Sequence, residues 1–89
     1  MVKAEEYRFV PDKLIAPPEV RFTLIFRNTG NLTHNLYFDR EEYRTATVSP
    51  PSADTIQVPT PSAPDTLLYW CDVVGHRDAG MEGMLVVKP

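Results

Sequence analysis

Cys71, the chain's one cysteine, is followed five residues later by His76 and five after that by Met81. The only other histidine, His34, lies far upstream. Thiol, imidazole and thioether are soft or borderline metal ligands. Two imidazoles and a thiolate in one plane, with a long thioether bond on the axis, suit copper. Cu(II) prefers tetragonal nitrogen and oxygen donors, Cu(I) soft donors in low coordination. A compromise geometry changes little between the two states, so an electron passes with little rearrangement.

Each candidate has a plainer reading. A lone cysteine is commonly a small buried hydrophobe; the spacing to His76 and Met81 argues against that for Cys71. His34 alone is an ordinary core or surface histidine, and its case depends on the loop. Met84 competes with Met81, but it begins an apolar strand and reads as core. Gly80 and Gly83 leave the backbone around Met81 free to bring the thioether close. If Leu67, Tyr69 and Cys71 face inward, Leu68 and Trp70 face outward. Trp70 then reads first as packing beneath residues 39–64. A Cys-His nucleophile is disfavoured, because no oxyanion hole is evident and a thioether has no task there. Zinc likewise has no use for an axial methionine.

Strands must position these residues. Nine prolines and four glycines break any helical run. Glu6–Val10 alternates weakly and reads as a strand, and Leu14–Ala16 as an edge strand before Pro17-Pro18. Val20, Phe22, Leu24 and Phe26 share one face of the clearest strand, with Arg21, Thr23, Ile25 and Arg27 on the other. Asn28–Asn31 is a turn, and His34–Phe38 resumes an extended run. Residues 39–44 can form one helical turn. Further strands are expected at Thr55–Val58, Thr66–Cys71 and Met84–Val87. About seven short strands with turns between them predict an all-β fold, a Greek-key antiparallel β-sandwich or small barrel. Strands can bring His34 and the 71–81 loop to one end of it.

Composition narrows the classes. Eighty-nine residues suit one domain, 1–89, with a single modest core. A net charge of −3 without a basic cluster argues against nucleic acid. No apolar run is long enough to span a membrane. The opening MVKAEEYRF is polar and does not read as a signal peptide. One cysteine excludes an internal disulfide and any site needing several thiolates from one chain. Asn31-Leu32-Thr33 fits a glycosylation sequon, relevant only to a secreted eukaryotic protein.

The stretches YRFVPDKLIAPPEVRFTLIFRNTGNLTHNLYF and YWCDVVGHRDAGMEGMLVV resemble the cupredoxins, the small blue copper proteins such as azurin and plastocyanin. Residues 39–64 carry no part of the resemblance. The Cys-to-His gap resembles azurin and the His-to-Met gap plastocyanin, so no subfamily is implied. The resemblance implies one type 1 copper ion held by His34, Cys71, His76 and Met81. It places two outer residues beside them. Asn35 ties the ligand-bearing segments and can point its N–H at the thiolate; the Thr33 carbonyl is at best a weak fifth contact. His76 would present a ring edge as the electron port, inside an apolar collar of Val73, Val74, Gly75, Ala79 and Gly80. Trp70 would be a second path. The implied function is one-electron transfer between redox partner proteins that dock transiently near His76. The protein would be a monomer and not an enzyme, and would work in the periplasm or at the cell surface. The alternatives are a copper-delivery module, or a cupredoxin domain of a larger copper oxidase or reductase. Delivery sites favour open Met- and His-rich surfaces, which this sequence lacks.

Overall fold

Alternation along Arg21–Asn28 buries Leu24, Phe26 and Asn28 and leaves Arg21, Thr23, Ile25 and Arg27 exposed. This strand organises the first of two sheets in the computed structural model, which describes residues 1–40 and 42–89. In chain order the strands are β1 (Val2–Glu5), β2 (Arg8–Val10), β3 (Lys13–Ala16), β4 (Arg21–Asn28), β5 (Tyr37–Phe38), β6 (Ala53–Pro59), β7 (Asp65–Trp70) and β8 (Glu82–Val87). One sheet has the order β2-β1-β4-β6, the other β3-β8-β7-β5. The expected all-β architecture is present, with β3 on an edge. The sheets are mixed, because β1 runs parallel to β4 and β3 parallel to β8.

Three expectations shift. Val2–Glu5 was not expected as a strand, because two small apolar residues among Lys and Glu give little β signal. Val2 and Ala4 are nonetheless fully buried in the hydrophobic core, while β4 and β2 flank the strand and complete its hydrogen-bond ladder. Glu6–Val10 is not one strand: Glu6 and Tyr7 make the turn that joins β1 to β2, whose ladder closes at Glu5 and Arg8. Met84 is not core. It is 39% exposed on the outward side of β8, whose alternation turns Leu85 and Val87 inward.

The segment after residue 38 also differs. Glu41 lies outside the described residues, so the helical turn expected over 39–44 falls partly there. Around it, the Tyr43 N–H donates to the Arg40 carbonyl at 3.0 Å and the Phe38 N–H to the Tyr43 carbonyl at 3.0 Å.

Between the sheets runs an aromatic chain. Phe9 meets Phe26 with ring centroids 6.2 Å apart and Tyr69 at 5.3 Å, and Phe38 meets Tyr69 at 5.5 Å. These tilted and edge-on packings suit the ring quadrupoles. Tyr69 is fully buried and donates its hydroxyl to the Pro11 carbonyl at 3.2 Å. Burial raises its phenol pKa, and the charge of Asp12 adds to the rise. The ring lies over Gly83, its cross-strand partner. A Cβ at Gly83 would sit 2.5 Å from the ring carbons. Gly83 therefore serves the Tyr69 packing rather than the mobility of Met81. Gly83→Ala is expected to destabilise the fold by about 1–3 kcal/mol through overpacking, read as a lower urea midpoint. An unchanged midpoint would show that Tyr69 moves aside freely.

Candidate metal centre

Three segments meet at one end of the sandwich. His34 precedes β5 and pairs as an isolated antiparallel bridge with Val48, through N–H···O bonds of 3.1 and 2.9 Å. Asn28, fully buried, braces the turn before it by donating to the Leu32 and Val48 carbonyls at 2.7 and 2.9 Å. Cys71 follows directly on β7. The 71–81 loop is closed by the Cys71 N–H on the Met81 carbonyl and the Met81 N–H on the His76 carbonyl, both at 3.1 Å. Gly75 and Gly80, with φ of 83° and 115°, occupy left-handed conformations that favour glycine.

Asn35 joins the segments. Its Oδ1 accepts the Asp72 N–H at 2.6 Å, and its Nδ2 donates to Thr47 Oγ1 at 2.9 Å. One buried side chain thus ties the strand carrying His34 to the segment carrying Cys71 and to residues 45–48. Thr33 is exposed.

His34, Cys71 and His76 are all buried and converge, the one such group of His, Cys, Asp or Glu donors among the described residues. Nδ1 of His34 lies 3.2 Å from Nδ1 of His76 and 3.9 Å from Cys71 Sγ, and His76 Nδ1 lies 3.5 Å from that sulfur. A point equidistant from all three lies about 2 Å from each, the length of a bond from a transition metal to imidazole or thiolate. Met81 is fully buried, its backbone bonded to both Cys71 and His76. The donor set and its size therefore fit a copper ion.

The hydrogen-bond network assigns the protons. His34 Nε2 faces Glu6 Oε2 at 2.7 Å. An ionised carboxylate only accepts, so His34 carries its proton on Nε2 and turns the Nδ1 lone pair inward. Glu6 was missed in the sequence, where it read as one more strand residue. The His34 bond holds the Glu6 carboxyl below the usual carboxylate range, and the Asn31 N–H adds to this. Burial lowers the His76 pKa, and His34 pushes it the same way. The Tyr7 ring stands edge-on to His76 at 5.2 Å. His76 is 7% exposed. Its Nε2 has no hydrogen bond, and no fully buried side-chain nitrogen or oxygen lacks a partner among the described residues, so this ring edge reaches solvent.

Around that edge Val74 is 96% exposed and Val73 half-buried, while Gly75, Ala79 and Gly80 are exposed. Trp70 is half-buried on the outward face of β7. Its ring packs under the Arg77 guanidinium at 4.1 Å and shares a concavity with Tyr37, Asp39, Glu42 and Arg44. Asp39, Glu42 and Arg44 flank Trp70, and the loop's own arginine covers it. Arg77 also pairs with Glu82 at 3.0 Å.

No family model matches the sequence, and no curated protein matches it. Solved structures do match in shape. A dithionite-reduced auracyanin from the photosynthetic bacterium Roseiflexus castenholzii superposes with a TM-score of 0.88 at 20% identity, over 99% of this chain and 94% of that one. Auracyanin A, a "blue" copper protein from Chloroflexus aurantiacus, gives 0.80 at 20% identity over 98% of each chain. Oxidised plastocyanin from Dryopteris crassirhizoma gives 0.71 at 22% identity over 98% of each. At these identities the match establishes the fold, that of the cupredoxins.

Two outcomes follow for the metal-free protein. Asn35→Ala is expected to cost about 1–2 kcal/mol, because it removes the hydrogen bonds to the Asp72 N–H and the Thr47 hydroxyl that tie the two segments together. Equal urea midpoints would contradict this. The depressed His76 pKa means the unfolded chain binds more protons. That contribution to stability is full above about pH 6.5 and is lost as pH falls through the folded value. Glu6 acts in the same sense below about pH 4.5. Urea midpoints should therefore fall as pH drops from 7.5 to 5, and a flat or rising series would refute the assignment.

Proposed function

We propose that this cupredoxin-fold chain is a type 1 copper protein, a one-electron carrier and not an enzyme. The observation that carries the reading is the buried convergence of His34 Nδ1, Cys71 Sγ and His76 Nδ1. These three side chains would hold the ion, with the Met81 thioether as a fourth ligand and the Thr33 carbonyl as a weak further contact. Bound copper would supply a Cu(I)/Cu(II) couple that accepts and releases single electrons without a proton.

The protein's own contribution is rigidity and exclusion of water. The donors are held by backbone bonds and by Asn35, so they need not rearrange when the charge at the centre changes. His34 and Cys71 are fully buried, and His76 nearly so. The solvent-facing edge of His76 is the port, framed by Tyr7, Val74 and Ala79. A small apolar rim of this kind lets a redox partner protein approach closely and leave quickly. Trp70, one peptide unit from Cys71, is the second candidate path, although its place under Arg77 equally serves packing.

We read residues 1–89 as one copper-binding domain, monomeric, working in the periplasm or at the cell surface. The location rests on family resemblance. Among the described residues no helix is long and apolar enough to cross a membrane. A delivery role is less well supported, since the thiolate is fully buried and not open to ligand exchange.

Adding Cu(II) to the metal-free protein should give an intense blue colour from sulfur-to-copper charge transfer, and Cys71→Ser should abolish it. A pale product from the unmodified protein would sink this reading. Met81→Leu should shift the reduction potential and the spectrum, whereas Met84→Leu should leave both in place. The reverse result would reassign the thioether ligand to Met84.

A further inference from the structure

The turn between β1 and β2 reaches the metal end from outside the ligand loop, and Glu6 at its tip touches His34 directly. We propose that Glu6 is a positioning residue for the metal centre: its carboxylate fixes the His34 ring with Nδ1 facing inward and supplies a negative charge that favours the oxidised ion. The inference rests on the copper reading for its second half only.

Four observations carry it. His34 is fully buried, and its Nε2 has one protein partner, Glu6 Oε2 at 2.7 Å. The Glu6 side chain is 22% exposed, so solvent competes weakly for the bond. Its other oxygen is occupied by the Asn31 N–H, which stops the carboxylate from rotating away. Gly30 lies against the same carboxyl, where any Cβ would collide with it. The turn Asn28–Asn31 is thus shaped around an acid that comes from another strand pair.

The physical consequence is directional. A neutral imidazole has two tautomers, and a carboxylate on Nε2 excludes the one that would put a proton on Nδ1. A ligating histidine bound to a carboxylate through its other nitrogen is also a stronger donor. The nearby negative charge stabilises the doubly charged ion more than the singly charged one. Removing it should raise the reduction potential. A plain structural brace for the 28–31 turn would alter stability and move neither the tautomer nor the potential.

The test uses Glu6→Ala and the isosteric Glu6→Gln. In the metal-free protein, nitrogen-15 NMR should find the His34 proton on Nε2. In Glu6→Ala the Nδ1-protonated tautomer should appear, and Cu(II) affinity should fall by about 10- to 100-fold. In Glu6→Gln the side-chain carbonyl can still accept from Nε2, so the tautomer should persist while the potential rises. Should Glu6→Ala fail to fold, the Gln variant decides through its potential. An unchanged tautomer in the Ala variant, or an unchanged potential in both, would overturn the proposal. Failure of the unmodified protein to turn blue would overturn the copper reading instead and leave the tautomer result standing.

Discussion

Three groups that offer lone pairs have no reason to crowd together in a protein interior. Two imidazole nitrogens 3.2 Å apart, each within 4 Å of a sulfur, repel unless something lies between them or a proton is shared. The rest of the molecule is arranged to hold that arrangement. Val48 pins the His34 backbone from one side, Asn35 ties it to Asp72, and Met81 closes the loop onto Cys71 and His76. With His34 protonated toward Glu6, its Nδ1 lone pair faces the other two donors, so the close approach of the two Nδ1 atoms in the metal-free protein calls for a shared proton. Electrostatics therefore explains why one histidine is locked on its outer side and the other left open.

The same frame explains the division of labour between the sheets. The β2-β1-β4-β6 sheet carries none of the candidate ligands in its strands but delivers two covers, Glu6 over His34 and Tyr7 beside His76. The other sheet leads into candidate ligands, Cys71 directly after β7 and Met81 directly before β8. Tyr69, packed over Gly83, sets how those two strands approach each other beneath the loop. A buried aromatic thus helps to hold the spacing on which the loop depends.

Much of this was legible in the sequence because the signals are local. The 71–81 loop keeps its candidates within eleven residues, and the alternation of β4 and β7 is regular enough to assign faces. What stayed hidden depends on pairing at a distance. Thr47 and Val48 sit in a polar, proline-rich stretch with no pattern of its own, and they matter because they lie opposite His34 and Asn35. Glu6 is 28 residues from its partner and looks like any acidic residue near a turn. Met84 resembled core because an apolar residue opening a strand gives no clue to which face it takes. β1 was missed because a central strand can be short and weakly apolar when its neighbours supply the ladder.

The pairing of β3 with β8 has a consequence for how the molecule comes into being. β3 is an edge strand whose one ladder partner among the described residues is β8, about seventy residues further along the chain. In vectorial synthesis β3 emerges early and waits with its hydrogen-bonding groups open until about seventy further residues have followed. The sheet that presents Cys71 therefore closes last, in a slow, non-local step. Nascent fragments that end before β7 contain His34 without Cys71 or His76, so the three donors come together only after residues 71–87 have emerged.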